Sequence, residues 1–355
     1  MEKQQMNFWQ QLTKPIIGLS PMDGVTDHPY RHIQKKYGNP TVVYTEFASV
    51  EGICRGAKQL LKDFLYDEIQ RPIVAQIYGT TPKFFRQTAV LLCELGFDGI
   101  DINMGCPAKN VAHSGAGAAL IKTPELAQKI VRETQAGVKD WLDDIKVADL
   151  ADITPEITAI IKERHDKLPP TQQEKRNIPV SVKTRVGYDS LVVYEWIPRL
   201  LELEPAVIAI HGRTLRQQYS GLANWDEIGK AVELAEKTDT LILGNGDVDS
   251  LTTAEKRIAE YGLDGVLIGR ASMGNPYIFG AAKIDDPSLF AIAVEHAELF
   301  EEAYQNNEHY AFLPMRKNLG WYVRSIPNAK EVRSELFQTE TSQEVKTILE
   351  KHHLL

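Results

Sequence analysis

The chain has 355 residues, 43% of them hydrophobic and 25% charged, an ordinary globular composition but a length beyond one small core. No run approaches the roughly 20 apolar residues of a membrane span, the opening MEKQQMNFWQQL lacks the apolar stretch of a secretory signal, and three cysteines supply neither a disulfide framework nor a metal cluster. The net charge of −8 counts against a simple nucleic-acid binder, so an RNA-acting protein with this balance must gather its Lys and Arg on one face.

Short apolar runs at 15–19, 41–45, 73–77, 99–103, 180–184, 207–210, 240–244 and 265–269 are rich in Val and Ile. Their nearly continuous hydrophobicity marks parallel strands buried on both faces. Helical patterns separate most of them, as at 82–95, 124–137, 226–236 and 250–261. Eight strands with intervening helices predict an α/β fold, a closed TIM (β/α)8 barrel of about 250 residues. An open doubly wound sheet is the alternative, but no Gly-x-Gly-x-x-Gly follows the first strand.

One connection is long. Residues 138–178 are charge-rich and end in Leu168-Pro-Pro-Thr-Gln-Gln-Glu-Lys-Arg-Asn177, which predicts an insertion of one or two helices with a mobile tail. The barrel pattern ends near Gly280, and 285–288 has the character of a linker with a helix start. Beyond it Leu289, Ile292, His296, Leu299 and Ala303 recur at helical spacing, and further helices are expected near 314–325 and 342–352. The expected organisation is a barrel over 1–284 and a small all-α domain over 285–355. Residues 314–333 hold Arg316, Lys317, Arg324, Lys330 and Arg333 against Glu331, five positive minus one negative, or +4. This is either an RNA-facing surface or a solvated helix face.

Chemistry-bearing residues follow directly on the predicted strands, at the rim where TIM barrels build their sites. Strand one ends in Ser20-Pro21-Met22-Asp23-Gly24, strand three near Gln76, strand four in Asn103-Met104-Gly105-Cys106-Pro107, and strand five in Lys183-Thr184-Arg185. Strand six ends in His211-Gly212-Arg213-Thr214, strand seven in Gly244-Asn245-Gly246-Asp247, and strand eight in Gly269-Arg270. The last two loops can bind a phosphate through backbone N–H groups and a guanidinium, or can simply be tight turns that need glycine. Gln76, Lys183 and His211 face the same mouth, a set that suits a flavin: hydrogen bonds for its pyrimidine edge and a cation near N1. His211 can equally be a core histidine satisfied by backbone. The Cys106 thiol, mostly protonated at neutral pH, can deliver a proton. No second Cys or His stands near it at metal spacing, so no metal is expected. Cys54 and Cys93 lie in helical patterns and pack.

These motifs resemble the tRNA-dihydrouridine synthases, flavoproteins built from a TIM barrel and a helical domain. The resemblance runs through Ser20-Pro-Met-Asp-Gly-Val-Thr-Asp27, Gln76, Asn103-Met-Gly-Cys-Pro-Ala-Lys109, Gly115-Ala-Gly-Ala-Ala-Leu120 and Val182-Lys-Thr-Arg-Val-Gly187. It continues through His211-Gly-Arg-Thr214 with Tyr219 and Gly221, Asn245-Gly-Asp247, Ile268-Gly-Arg270 and Gly274-Asn-Pro276. Met315-Arg-Lys-Asn-Leu-Gly-Trp-Tyr322 is similar to the family's Arg-Lys-His-x-x-Trp-Tyr signature, with Asn318 where the family has His. The resemblance implies FMN on Pro21, Met22, Asp23, Gln76, Lys183, His211, Asn245, Gly246, Asp247, Gly269 and Arg270. It places Asn103 and Arg213 on a flipped-out uracil, Lys109 near RNA, and Arg316 and Lys317 on tRNA. It implies NADPH as a transient reductant, hydride from flavin N5 to uridine C6 and a proton from Cys106 to C5, giving 5,6-dihydrouridine in tRNA. A cytoplasmic monomer is expected. On the same resemblance, 138–178 exceeds the family's usual connection. The rival readings are a flavin dehydrogenase of free pyrimidines or dihydroorotate, a catalytically inactive RNA-binding homologue, and a phosphate-binding barrel without redox function.

Overall fold

The computed structural model describes residues 7–218, 220–280, 288–307 and 310–355, apart from the side chains of Lys109 and Asn110. Eight strands, β1 (Ile16–Leu19), β2 (Val43–Ser49), β3 (Ile73–Tyr78), β4 (Gly99–Met104), β5 (Val180–Arg185), β6 (Val207–His211), β7 (Leu241–Asn245) and β8 (Gly265–Ile268), form one closed parallel barrel in chain order. The predicted TIM barrel is therefore present, with every strand in the expected place. Closure depends on Gly265, where a Cβ would stand 2.0 Å from the carbonyl oxygen of Ile16, its partner in register. Only a residue without a side chain lets the last strand meet the first so closely.

β2 runs four residues past its predicted end. Its register against β3 shifts between Tyr44 and Phe47, and such an irregularity re-aims side chains near a barrel rim. Trp9, on the short helix Phe8–Gln11, joins Ile16, Tyr44, Val74, Val207, Leu243 and Leu267 in a buried cluster of inward-facing strand residues. The larger core lies between the strands and the outer helices.

The predicted helix at 124–137 continues to Leu142. The rest of 138–178 packs on the barrel's outer helices. Helix Pro155–Asp166 is N-capped by Thr154 and buries Ile157 and Ile161. The tail predicted to be mobile is tied down: Arg176 Nη2 donates to the carbonyls of Gly96 (2.9 Å) and Phe97 (3.2 Å). Arg176→Ala is expected to cost about 1–2 kcal/mol and to open 168–178 to limited proteolysis; native protease resistance would show that these bonds do not hold the tail.

After the barrel, Ser288 caps helix Leu289–Tyr304, followed by Leu313–Tyr322, Ala329–Leu336 and Ser342–Lys351. Helix Ala329–Leu336 has no counterpart among the helices expected from sequence. These helices share a second hydrophobic core that includes Ile33 from the barrel helix His28–Gly38. Buried rings of Tyr30, His296 and Tyr322 meet in tilted and edge-to-face contacts across the junction. Most of the expected linker at 285–288 and the boundary at 284 lie outside the described residues. Among the described residues no helix is long and apolar enough to cross a membrane.

Candidate active site

The C-terminal ends of the strands surround a cavity of about 980 Å³, at the large end of the range for small-molecule and cofactor sites. All eleven residues expected on the cofactor line it: Pro21, Met22, Asp23, Gln76, Lys183, His211, Asn245, Gly246, Asp247, Gly269 and Arg270. Asn103 and Cys106 line it as well. They meet because a parallel barrel places every strand's C-terminal end on one rim.

The first rim loop is shaped by its own side chains. Thr26 Oγ1 accepts from the Met22 N–H (3.0 Å), and Asp27 caps helix His28–Gly38 through the Tyr30 N–H (2.9 Å). Burial raises the Asp23 carboxyl above its usual range, and the Lys317 ammonium pulls it partly back.

The loop after β4 turns on Asn103. Its Oδ1 accepts from the N–H groups of Gly105 (3.0 Å) and Cys106 (2.9 Å), and its Nδ2 donates to Gln76 Oε1 (3.1 Å). Burial pushes the Cys106 thiol up, against a weak hydrogen bond from the Ala108 N–H to Sγ (3.5 Å). The thiol therefore stays protonated at neutral pH. Cys54 and Cys93 are buried, as expected of packing residues.

On the opposite wall, Lys183 Nζ donates to Asn245 Oδ1 (3.2 Å), and Asn245 Nδ2 donates to the Leu267 carbonyl (2.8 Å). Burial, then the neighbouring Arg185, brings Lys183 down to about 8. Burial and the surrounding cations hold His211 well below its ordinary value, so its imidazole is neutral and can accept as well as donate.

The corner after β7 and β8 has left-handed backbone at Gly246 (φ 121°) and Asp247 (φ 52°). The Asp247 carboxylate accepts from Arg213 Nη2 (2.9 and 2.7 Å), Arg270 Nη2 (3.0 Å) and the Ala223 N–H (2.8 Å). Burial pushes Asp247 up, but these donors outweigh it and hold the carboxyl below its usual range. The half-exposed Arg270 guanidinium faces the cavity. Backbone amides at such a turn, together with a guanidinium and Lys183, suit a phosphate and an anionic ring. This donor set and the cavity's size fit FMN.

Three expected ligand contacts, Arg213, Arg316 and Lys109, stand elsewhere or outside the description. Arg213 is not on the cavity wall; its side chain is 3% exposed and its guanidinium is fixed by Asp247 and the Gly221 carbonyl (2.6 Å). Arg316 is turned into the helical region, where its Nε donates to the Thr339 carbonyl (2.8 Å). Lys317 is exposed, with its ammonium beside Gly24 at the barrel rim. The Lys109 side chain and Tyr219 lie outside the described residues. Asn318 is buried. Of the basic stretch, Lys317, Arg324 and Lys330 are exposed.

Residues given no role from sequence also belong here. Arg185 lines the cavity, and its Nε donates to the Gly105 carbonyl (2.6 Å). Phe47 reaches the cavity from the extended part of β2. Asp101 lies wholly buried behind Gln76. Arg185 stands inside a quoted motif, two residues after Lys183; Asp101 stands two residues before Asn103, on the same strand face.

The family model described as dihydrouridine synthase (Dus) matches residues 18–147 and 157–355. Within 138–178 it leaves out only 148–156, so most of the segment expected to exceed the family's connection is matched. The chain is 32% identical over 352 residues to a "Probable tRNA-dihydrouridine synthase" of Staphylococcus aureus (strain COL), covering 97% of this chain and 95% of that one. It is 32% identical over 351 residues to "Probable tRNA-dihydrouridine synthase 2" of Bacillus subtilis (strain 168), covering 97% and 96%.

Proposed function

Since the chain belongs to the dihydrouridine synthase family, we propose that it reduces uridines in tRNA to 5,6-dihydrouridine, with FMN as cofactor and NADPH as transient reductant. The observation that carries the reading is the single cavity on which eleven cofactor residues and one protonated thiol converge from seven strands. Bound there, the flavin would supply the hydride that uridine C6 receives.

The chain's own residues do the rest. Gly246, Asp247, Gly269 and Arg270 hold the cofactor's phosphate, with Asp247 and Arg213 acting as a brace that aims Arg270. Lys183 and His211 line the wall beside the ring system, one a cation and the other neutral. Asn103 presents the Cys106 loop and stands next to the base edge. Cys106 donates a proton to uridine C5 and becomes a thiolate, which solvent reprotonates. A base buried this deeply must leave its stack, so the target nucleotide is extruded into the cavity.

We assign 1–284 to the cofactor-binding barrel and 285–355 to an RNA-holding helical domain. Lys317, Arg324 and Lys330 are exposed in this region and supply the cations that phosphate binding requires. We also assign Lys109, three residues after Cys106 in sequence, to the RNA. Every group in this scheme comes from one chain, so a monomer suffices.

The test uses purified protein, FMN, NADPH and an unmodified tRNA transcript, read by mass mapping. Dihydrouridine at discrete positions is expected. RNA left unreduced, or free uracil reduced as well as tRNA, overturns the reading.

A further inference from the structure

We infer that Asp101 is a positioning residue for the Cys106 loop, acting through the side-chain amides of Gln76 and Asn103. Asp101 lies in β4, fully buried, in register with Gln76 of β3 and Ser181 of β5. Its carboxylate accepts from Gln76 Nε2 (2.7 Å) and Ser181 Oγ (2.6 Å).

An ionised carboxylate can only accept hydrogen bonds, and that fixes the polarity of everything beyond it. Gln76 must turn its NH2 towards Asp101 and its carbonyl towards Asn103. Asn103 Nδ2 donates to that carbonyl (3.1 Å). Asn103 Oδ1 is then left for the N–H groups of Gly105 (3.0 Å) and Cys106 (2.9 Å). Reversing Asn103 would set donor against donor at the loop, and reversing Gln76 would set donor against donor at Asn103 and acceptor against acceptor at Asp101. Burial raises Asp101 to about 6, so at neutral pH it remains ionised and the polarity holds. Three side chains thus carry one instruction from the barrel interior to the backbone that bears the thiol. A buried polar chain of this kind is worth having only when every member is satisfied.

The inference rests on the proposed role of Cys106 for its consequence in turnover. Its test does not, because alkylation of the thiol needs neither flavin nor RNA. Iodoacetamide modification of Cys106 is followed at neutral pH by the mass of its peptide, Cys54 and Cys93 being buried. Asp101→Leu cuts the chain, loosens the loop and relieves the burial that raises the thiol. The relieved thiol ionises more readily, partly offset by lower nucleophilicity, so alkylation should quicken roughly threefold. Asp101→Asn can turn its oxygen to Gln76 and its NH2 to the Ser181 hydroxyl, and should keep the native rate. On tRNA, Asp101→Leu should lower kcat.

A native alkylation rate in folded Asp101→Leu, or an Asp101→Asn rate equal to that of Asp101→Leu, overturns the inference. If Asp101→Leu does not fold by circular dichroism, Gln76→Leu breaks the same chain one link on. It must then show the same acceleration, and a native rate there is equally fatal.

Discussion

Cys106→Ala should lower turnover on tRNA by about a hundredfold to ten-thousandfold, the usual contribution of a positioned general acid, while cofactor and RNA binding survive. The expectation follows from how little else the thiol does. Its one described hydrogen bond is the weak contact from the Ala108 N–H. The loop is held by Asn103 and Arg185, through backbone atoms that alanine retains. Removing the sulfur therefore removes a proton source and little structure. The pH profile gives an independent reading. Burial raises the thiol above its ordinary value, so the donor form persists through neutral pH and is lost only well into the alkaline range. Wild-type kcat should fall on that side, and the residual rate of Cys106→Ala should lack the same limb. Undiminished turnover in a yellow, tRNA-binding Cys106→Ala protein would refute the assignment.

What the sequence disclosed and what it hid divide along a physical line. The eight strands were legible because parallel strands buried on both faces read as short apolar runs. The rim residues were legible because glycine, asparagine, lysine and arginine stand out where such runs stop, and barrel topology gathers those stops without further information. Features set by long-range pairing were not legible. Arg213 and Arg270 look like two independent cations in sequence; in space both answer to Asp247, which takes Arg213 off the cavity wall. Arg316 looks like an unattached cation in sequence; in space its Nε is tied to the carbonyl of Thr339, 23 residues later. The apolar pattern marks β2 only to 45, because Glu46 interrupts it at the register shift between Tyr44 and Phe47, and this hides Phe47. Helix Ala329–Leu336 begins on Asn328 in left-handed backbone without a side-chain cap, so no start signal announces it.

Lys183→Met should make the flavin-free protein more stable and its hold on FMN weaker, two changes of opposite sign from one charge. Lys183 titrates near 8 in the folded chain against an ordinary 10.5. The unfolded chain therefore binds this proton more tightly. Stability of the flavin-free protein rises as pH climbs between those two values, and the full cost of the buried ammonium is present below about 8. The cavity admits some water to this half-buried side chain, so removing the charge should gain about 2 kcal/mol at pH 7. Loss of the hydrogen bond to Asn245 trims that gain. An anionic ligand reverses the balance, because its charge stabilises the ammonium and raises its titration point. FMN binding must then take up a proton wherever free Lys183 is neutral, and affinity should fall by up to about tenfold per pH unit above 8. In Lys183→Met the slope should vanish, and FMN affinity at pH 7 should drop about tenfold to a hundredfold, the worth of one charged hydrogen bond. Fluorescence titrations of FMN from pH 7 to the alkaline range, alongside melting of the flavin-free protein, read both halves. Native affinity with the alkaline slope intact in the variant would remove Lys183 from the cofactor site, whatever happened to stability.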